Sequence, residues 1–187
     1  MANVLFIREQ FLKDNTVIND NVEFKQLRPV IMAAQDMQIQ EAIGSSLFKE
    51  LKAQVIANTV TALNNTLITD YIQPALLYWC MAEAGLVITY KYANKGVVTH
   101  NSENQSPSSM NEVNYVSKQY KAKAEWYTKR ITEYLLANVD DYPLFMECPA
   151  YGIAAQQNQY TTGFYVGDKP ANKRFAPIPN PDKFDWL

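Results

Sequence analysis

Residues 71–90 read YIQPALLYWCMAEAGLVITY, and the placement of this stretch decides the fold. It carries a single formal charge, Glu83. A helix of this length rises about 30 Å, the thickness of a bilayer's hydrocarbon core, so length alone admits a membrane span. Gln73, Pro74, Glu83 and Thr89 interrupt the run, and Leu, Ile, Val and Phe are few for its length. A helix apolar on nearly all sides is equally what the centre of a soluble bundle requires. The buried central helix is the expectation, running from about residue 66 to 92. Leu67, Tyr71, Ala75, Tyr78, Ala82, Leu86 and Thr89 form one stripe, which Ile72, Leu76, Trp79 and Val87 widen. Pro74 marks a bend in its early turns, and Asn94-Lys95-Gly96 ends it.

Three further helices are expected around it. Residues 22–40 place Phe24, Leu27, Ile31, Ala34 and Gln38 on one face. Asn19-Asp20-Asn21 offers N-caps, and Pro29 predicts a kink or a late start. Gly44 suits a helix stop, after which Ser45 caps a helix over 46–57 with Leu47, Leu51 and Val55 on its stripe. The last helix spans 110–138, with Val113, Val116, Tyr120, Ala124, Tyr127, Ile131 and Leu135 facing inward. Before these helices, residues 3–12 read as a short extended segment, with Phe6 and Arg8 on one face and Leu5 and Ile7 on the other. Asn58–Asn65 is a polar turn region, 97–99 a short strand, and NSENQSPSS over 101–109 a polar loop. The fold class is therefore mainly α: a four-helix, bundle-like body over 1–142.

Composition bounds the function. The 187 residues suggest one domain with extensions, and the 48% hydrophobic fraction is enough for a core. Net charge is −2, which disfavours a protein that grips nucleic acid over its whole surface. One His and two Cys exclude a multi-His metal centre, a Cys/His zinc site and a disulfide scaffold. No cofactor is expected. The chain holds 16 Asn and 12 Gln, and with 12% aromatics this suggests a neutral, amide-rich surface suited to protein contacts. The apolar run 4–7 is too short for a signal peptide, so cytosolic synthesis is expected, with Cys80 and Cys148 as reduced thiols.

Chemistry finds little material. His100 stands beside the polar loop, and Asp140-Asp141 at a helix end reads as a solvated pair. The glycines are isolated, so no phosphate-cradling loop is present. Lys118–Arg130 holds five basic residues and one acid. Lys118, Lys121, Lys129 and Arg130 are the candidate basic face toward a DNA channel or an acidic partner; the plainer alternative is a solvated helix face with snorkelling side chains.

Residues 143–187 change character. They hold six of the nine prolines and eight aromatics, with few Leu, Ile or Val, and cannot build a core of their own. Tyr151, Tyr160, Phe164, Tyr165, Phe175, Phe184 and Trp186 are the candidate interaction residues of a long, irregular C-terminal arm. Such an arm either folds back over its own helices or lies on a neighbouring subunit. Proline-stiffened segments lose less entropy on docking, and their aromatics supply contact area.

Over about residues 1–140 the sequence resembles the head–tail connector proteins of tailed phages, also called adaptor, neck ring or head-completion proteins. The pattern is most similar to that of the crAss-like short-tailed group. The resembling segments are NVEFKQLRPVIMAAQDMQIQEAIG (21–44), SLFKEL (46–51), residues 67–90, the Lys95-Gly96-Val97-Val98 exit and the long helix after the Asn/Ser loop. The resemblance implies a structural, non-enzymatic protein of the virion neck, made in the host cytoplasm. It implies a homo-oligomeric ring, usually of twelve copies, beneath the portal protein. That ring extends the channel for passing double-stranded DNA without sequence-specific binding and docks tail or neck proteins, with no membrane involved. The alternative is a helical interaction module outside the virion, such as a tail-assembly chaperone or adaptor.

Overall fold

The stretch 71–90 lies in a 28-residue helix, Ala62–Thr89, that runs antiparallel to a second 28-residue helix, Met110–Ala137. The structure, a computed structural model, describes residues 4–94, 96–99, 109–147 and 151–156, with backbone alone for 91–93 and 96–99. In chain order the helices are α1 (Glu9–Asp14), α2 (Phe24–Ala34), α3 (Gln40–Ile43), α4 (Ser45–Ala57), α5 (Ala62–Thr66), α6 (Gln73–Thr89) and α7 (Met110–Ala137). A π-helical segment, Gln35–Ile39, joins α2 to α3, and a second, Leu67–Ile72, joins α5 to α6. The protein is mainly α-helical, with four main helical runs packed together.

Ala62–Thr89 is long and apolar enough to cross a membrane by length and composition. From Tyr71 to Gly85, however, every residue is buried or half-buried by the rest of the chain. Ala75, Leu76 and Cys80 are fully buried and belong to one core with Ile31 and Ala34 of α2, Leu51 of α4, and Ala124, Ile131 and Leu135 of α7. The wide π turn falls where Pro74, having no N–H, could not donate to Asp70 in α geometry. The helix ends at Thr89, earlier than 92: Tyr90–Ala93 is a strand, paired antiparallel with Gly96–Thr99.

The other boundaries follow local chemistry. Ser109 accepts from the Glu112 N–H while the Glu112 carboxylate accepts from the Ser109 N–H, a capping box that fixes the start of α7. Helix α2 starts at Phe24 without a side-chain cap, because Asn19 closes its own turn by accepting from Asn21 N–H. Pro29 lies inside α2 on an exposed side, where the carbonyl it leaves without a donor can be hydrated. The π segment after Ala34 rotates the inward face. Gln35, Ile39, Ala42 and Ile43 are buried and Gln38 is only half-buried, whereas an unbroken 3.6-residue period points Gln38 inward.

Two sequence expectations need correction at the ends of the body. The N-terminal extended segment reaches only Arg8, since Glu9–Asp14 is helical. Phe6 and Ile7 are both buried and Arg8 is exposed, so the two faces do not alternate. Side-chain amides stand in for a partner strand there. Phe6 N–H donates to Gln35 Oε1 at 2.9 Å, Gln35 Nε2 donates to the Val4 carbonyl at 2.9 Å, and Gln73 Nε2 donates to the Phe6 carbonyl at 3.0 Å.

At the other end the body continues past residue 142. Tyr142 and Phe145 are buried, and Pro143–Phe145 forms a 3₁₀ turn against α4. Residues 151–156 then cross the α3–α4 junction. Ser45 N–H donates to the Ile153 carbonyl and Ile153 N–H to Ser45 Oγ, each at 2.8 Å, and Gln156 N–H donates to the Glu41 carbonyl at 3.0 Å. Ser45 therefore binds this strap, and Gly44 holds the N-cap position of α4. The compact unit comprises Met1–Gln157, and Asn158–Leu187 is a separate unit.

Candidate interaction surface

Helix α7 carries the candidate basic residues, and its seam with the central helix decides where each points. The two helices interlock through aromatic and polar pairs along their length. Tyr71 stacks on Tyr134 and Tyr78 on Tyr127. Trp79 Nε1 donates to Thr128 Oγ1 at 2.9 Å, and Ser117 Oγ donates to the Ala82 carbonyl at 2.6 Å. Val113 lies opposite Gly85, where a Cβ would come within 3.6 Å of it. Below the seam the Tyr142 hydroxyl donates to the Leu63 carbonyl at 3.0 Å. Burial, then the hydrogen bond with Tyr134, pushes that phenol's pKa up.

This seam splits the four candidate basic residues. Lys118, Lys121 and Lys129 are exposed on the outward side of α7. Lys121 sits 4.0 Å from Glu125 and Lys129 3.4 Å from Glu133, so the acids one turn on offset two of these charges. Arg130 is half-buried at the flank of the seam, its guanidinium 4.7 Å from the centre of the Tyr71 ring. Lys123 does the same one heptad earlier, over Tyr120 and Tyr78. The four residues thus form no single face. The outward side also carries Tyr115 and Trp126, 66% and 59% exposed, which the apolar stripe of α7 did not reveal. Their signal was in the sequence: two aromatics three helical turns apart, off the inward stripe. Val116, expected inward, is also exposed.

Of the seven arm aromatics, Tyr151 is described and stands almost fully exposed. Tyr160, Phe164, Tyr165, Phe175, Phe184 and Trp186 lie outside the described residues, as do His100 and Cys148. Asp140 and Asp141 are both exposed. Among the described residues no group of three His, Cys, Asp or Glu side chains could hold a metal ion. Cys80 is a free, buried thiol, and desolvation followed by the nearby Glu83 raises its pKa, which suppresses the reactive thiolate. Glu83 is half-buried beside it, and burial raises its own pKa.

The amide richness has an internal use as well as a surface one. Gln54 Oε1 accepts from Asn64 Nδ2 at 2.8 Å while Gln54 Nε2 donates to Glu50, which ties α4 to the start of the central helix. Gln40 Nε2 donates to Ser45 Oγ at 2.8 Å beneath the strap. Among the described residues no buried side-chain nitrogen or oxygen lacks a partner. The buried polar groups of the described body are thus satisfied, and its exposed apolar side chains include Tyr115 and Trp126 on α7 as well as Val17, Met37 and Ile56 elsewhere.

No curated protein and no solved structure matches the sequence. A family model matches residues 39–155, a span that includes both Gly44 and the strap residue Ala155 that packs on it. By that match the chain belongs to DUF6712, a family of unknown function.

Proposed function

We propose that this protein is a structural component of a phage virion: a head–tail connector that forms a homo-oligomeric ring at the portal–tail junction. In this role it extends the channel through which double-stranded DNA passes and docks tail or neck proteins, with the last 30 residues serving as an arm. The observation that carries the reading is the division of the chain at residue 157. A self-contained helical body ends there, and the separate unit Asn158–Leu187 that follows is rich in proline and aromatics. A segment of that composition gains its apolar contacts from a surface, and a neighbouring subunit provides one. The near-neutral net charge of −2 suits a channel wall past which DNA must slide. A ring needs one face of the subunit to meet a different face of the next, and many weak arm contacts then add through effective concentration.

The test is electron microscopy of the purified protein with and without its portal, together with protein quantification in purified particles. Ring particles on the portal and multiple copies per virion are expected. Absence from particles, with monomers and no portal binding, would remove the connector reading and favour an assembly chaperone or adaptor.

A further inference from the structure

The outward face of α7 has no partner among the described residues, yet it is built in register with itself. Tyr115, Gln119, Ala122 and Trp126 follow one another at alternating four- and three-residue spacings, which aligns them along one side of the helix. Tyr115 and Trp126, the two most exposed aromatics of α7, bracket the small residue Ala122. Beside this line run Lys118 and Glu125.

We infer that two copies of this chain pair through this face, α7 against α7, antiparallel about a two-fold axis at the level of residue 121. In that arrangement residues on opposite sides of the centre face each other. Trp126 of one copy meets Tyr115 of the other, and Glu125 meets Lys118, each pair occurring twice by symmetry. Ala122 lies one residue from the crossing, facing Gln119 of the other copy, and its small side chain lets the helices approach. A parallel pairing would instead set Lys118 against Lys118 and Glu125 against Glu125. The mixed charges of the face, Lys118, Lys121 and Lys129 with Glu125 and Glu133, also fit a second copy better than a polyanion. Glu125 holds Lys121 only loosely, at 4.0 Å, and is free to turn to a partner lysine. The contact is small and partly polar, so the dimer is weak and concentration-dependent. It goes beyond the connector reading: a two-fold pair closes on itself, whereas a ring uses unlike faces, so this is a state of the free protein.

Sedimentation of the full chain over a range of concentrations tests it. A monomer–dimer equilibrium is expected, weakened by about tenfold or more in Trp126→Glu. Lys118→Glu and Glu125→Lys should each weaken it, and the double exchange should restore it. Ala122→Cys in a Cys148→Ser background should form a disulfide-linked dimer under mild oxidation, because a two-fold centre one residue away brings this position close to its own copy, which a head-to-tail contact does not. Unchanged thermal unfolding of the exposed variants keeps folding out of the comparison. A monomer at every concentration overturns the proposal. So does self-association that survives Trp126→Glu, or that leaves Ala122→Cys uncrosslinked, as arm-mediated or head-to-tail contact would.

Discussion

The ring of Tyr71 lies on that of Tyr134, centroids 4.0 Å apart and planes inclined by 23°, and one heptad along each helix Tyr78 repeats the stack on Tyr127 at 4.9 Å and 14°. The antiparallel contact of the two helices continues to Ser117 and Ala82. These stacks fix how α7 is rotated, and so which of its residues face outward. The half-buried Arg130 lies over the Tyr71 ring, which assigns it to the fold; Lys123 reaches over Tyr78 but is exposed, as are Lys118, Lys121 and Lys129. Stacked aromatic pairs contribute about 0.5–1.5 kcal/mol beyond the area they bury. A double-mutant cycle with Tyr71→Leu and Tyr134→Leu, followed by urea denaturation, should therefore return a coupling energy near 1 kcal/mol. Additive losses would mean that the rings only fill space.

Gly44 predicts a larger single-site effect. Its φ of +81° belongs to a region that residues with a Cβ avoid. A Cβ built there would also come within 2.9 Å of the Ala155 backbone nitrogen, in the strap held by Ser45. Gly44→Ala combines backbone strain of about 1–3 kcal/mol with displacement of residues 151–156. Chemical denaturation should show a loss in that range, and limited proteolysis should show earlier cleavage around 151–156 than in the parent. Loss of stability with an unchanged cleavage pattern would separate the strain from the clasp.

The helix over 110–138 was legible to within a residue, because its apolar period is unbroken. The central helix was legible as a core element, because almost nothing in it is polar. The two π segments were not, since one extra residue in a turn leaves no signature in side-chain type, and the second inserts before a proline that already explained a bend. The burial of Gln35 carries no sequence signal for that reason: an unbroken helix points Gln38 inward. By sequence, residues 143–156 read as arm because they lack Leu, Ile and Val apart from Leu144 and Ile153; in the structure Phe145 is buried and hydrogen bonds to Ser45 and Glu41 hold 151–156. Tyr115 and Trp126 fell outside an inward-facing template. What periodicity reports is the face turned to the core, and a docking surface is by construction the other face.

Glu83 gives a pH prediction. Burial raises its folded-state pKa above the ordinary value of 4.5. Between those two values the folded protein keeps a proton that the unfolded chain has lost. Stability from this group is therefore fully present below pH 4.5 and declines as pH rises through the folded pKa. Glu83→Gln stays neutral throughout. The variant should be more stable than the parent at pH 8 and lose that advantage near pH 4, as measured by urea denaturation across the range. An advantage independent of pH would assign the effect to packing.

The N-terminal segment supplies the last test. Gln35 is 1% exposed and uses both ends of its amide on the segment, accepting from Phe6 N–H and donating to the Val4 carbonyl. Gln35→Leu keeps the volume and removes both partners, leaving a buried donor and a carbonyl unsatisfied at about 1–3 kcal/mol each. Gln35→Glu keeps the acceptor for Phe6 but turns an oxygen toward the Val4 carbonyl, so when ionised it should be the worse substitution. Gln73 still holds the Phe6 carbonyl, so the segment should loosen without leaving. Hydrogen exchange should then rise first at the amides of Phe6 and Ile7, before any rise in α7. Equal acceleration across the whole body would show that Gln35 supports the core at large, and that its bonds to residues 4–6 are incidental to it.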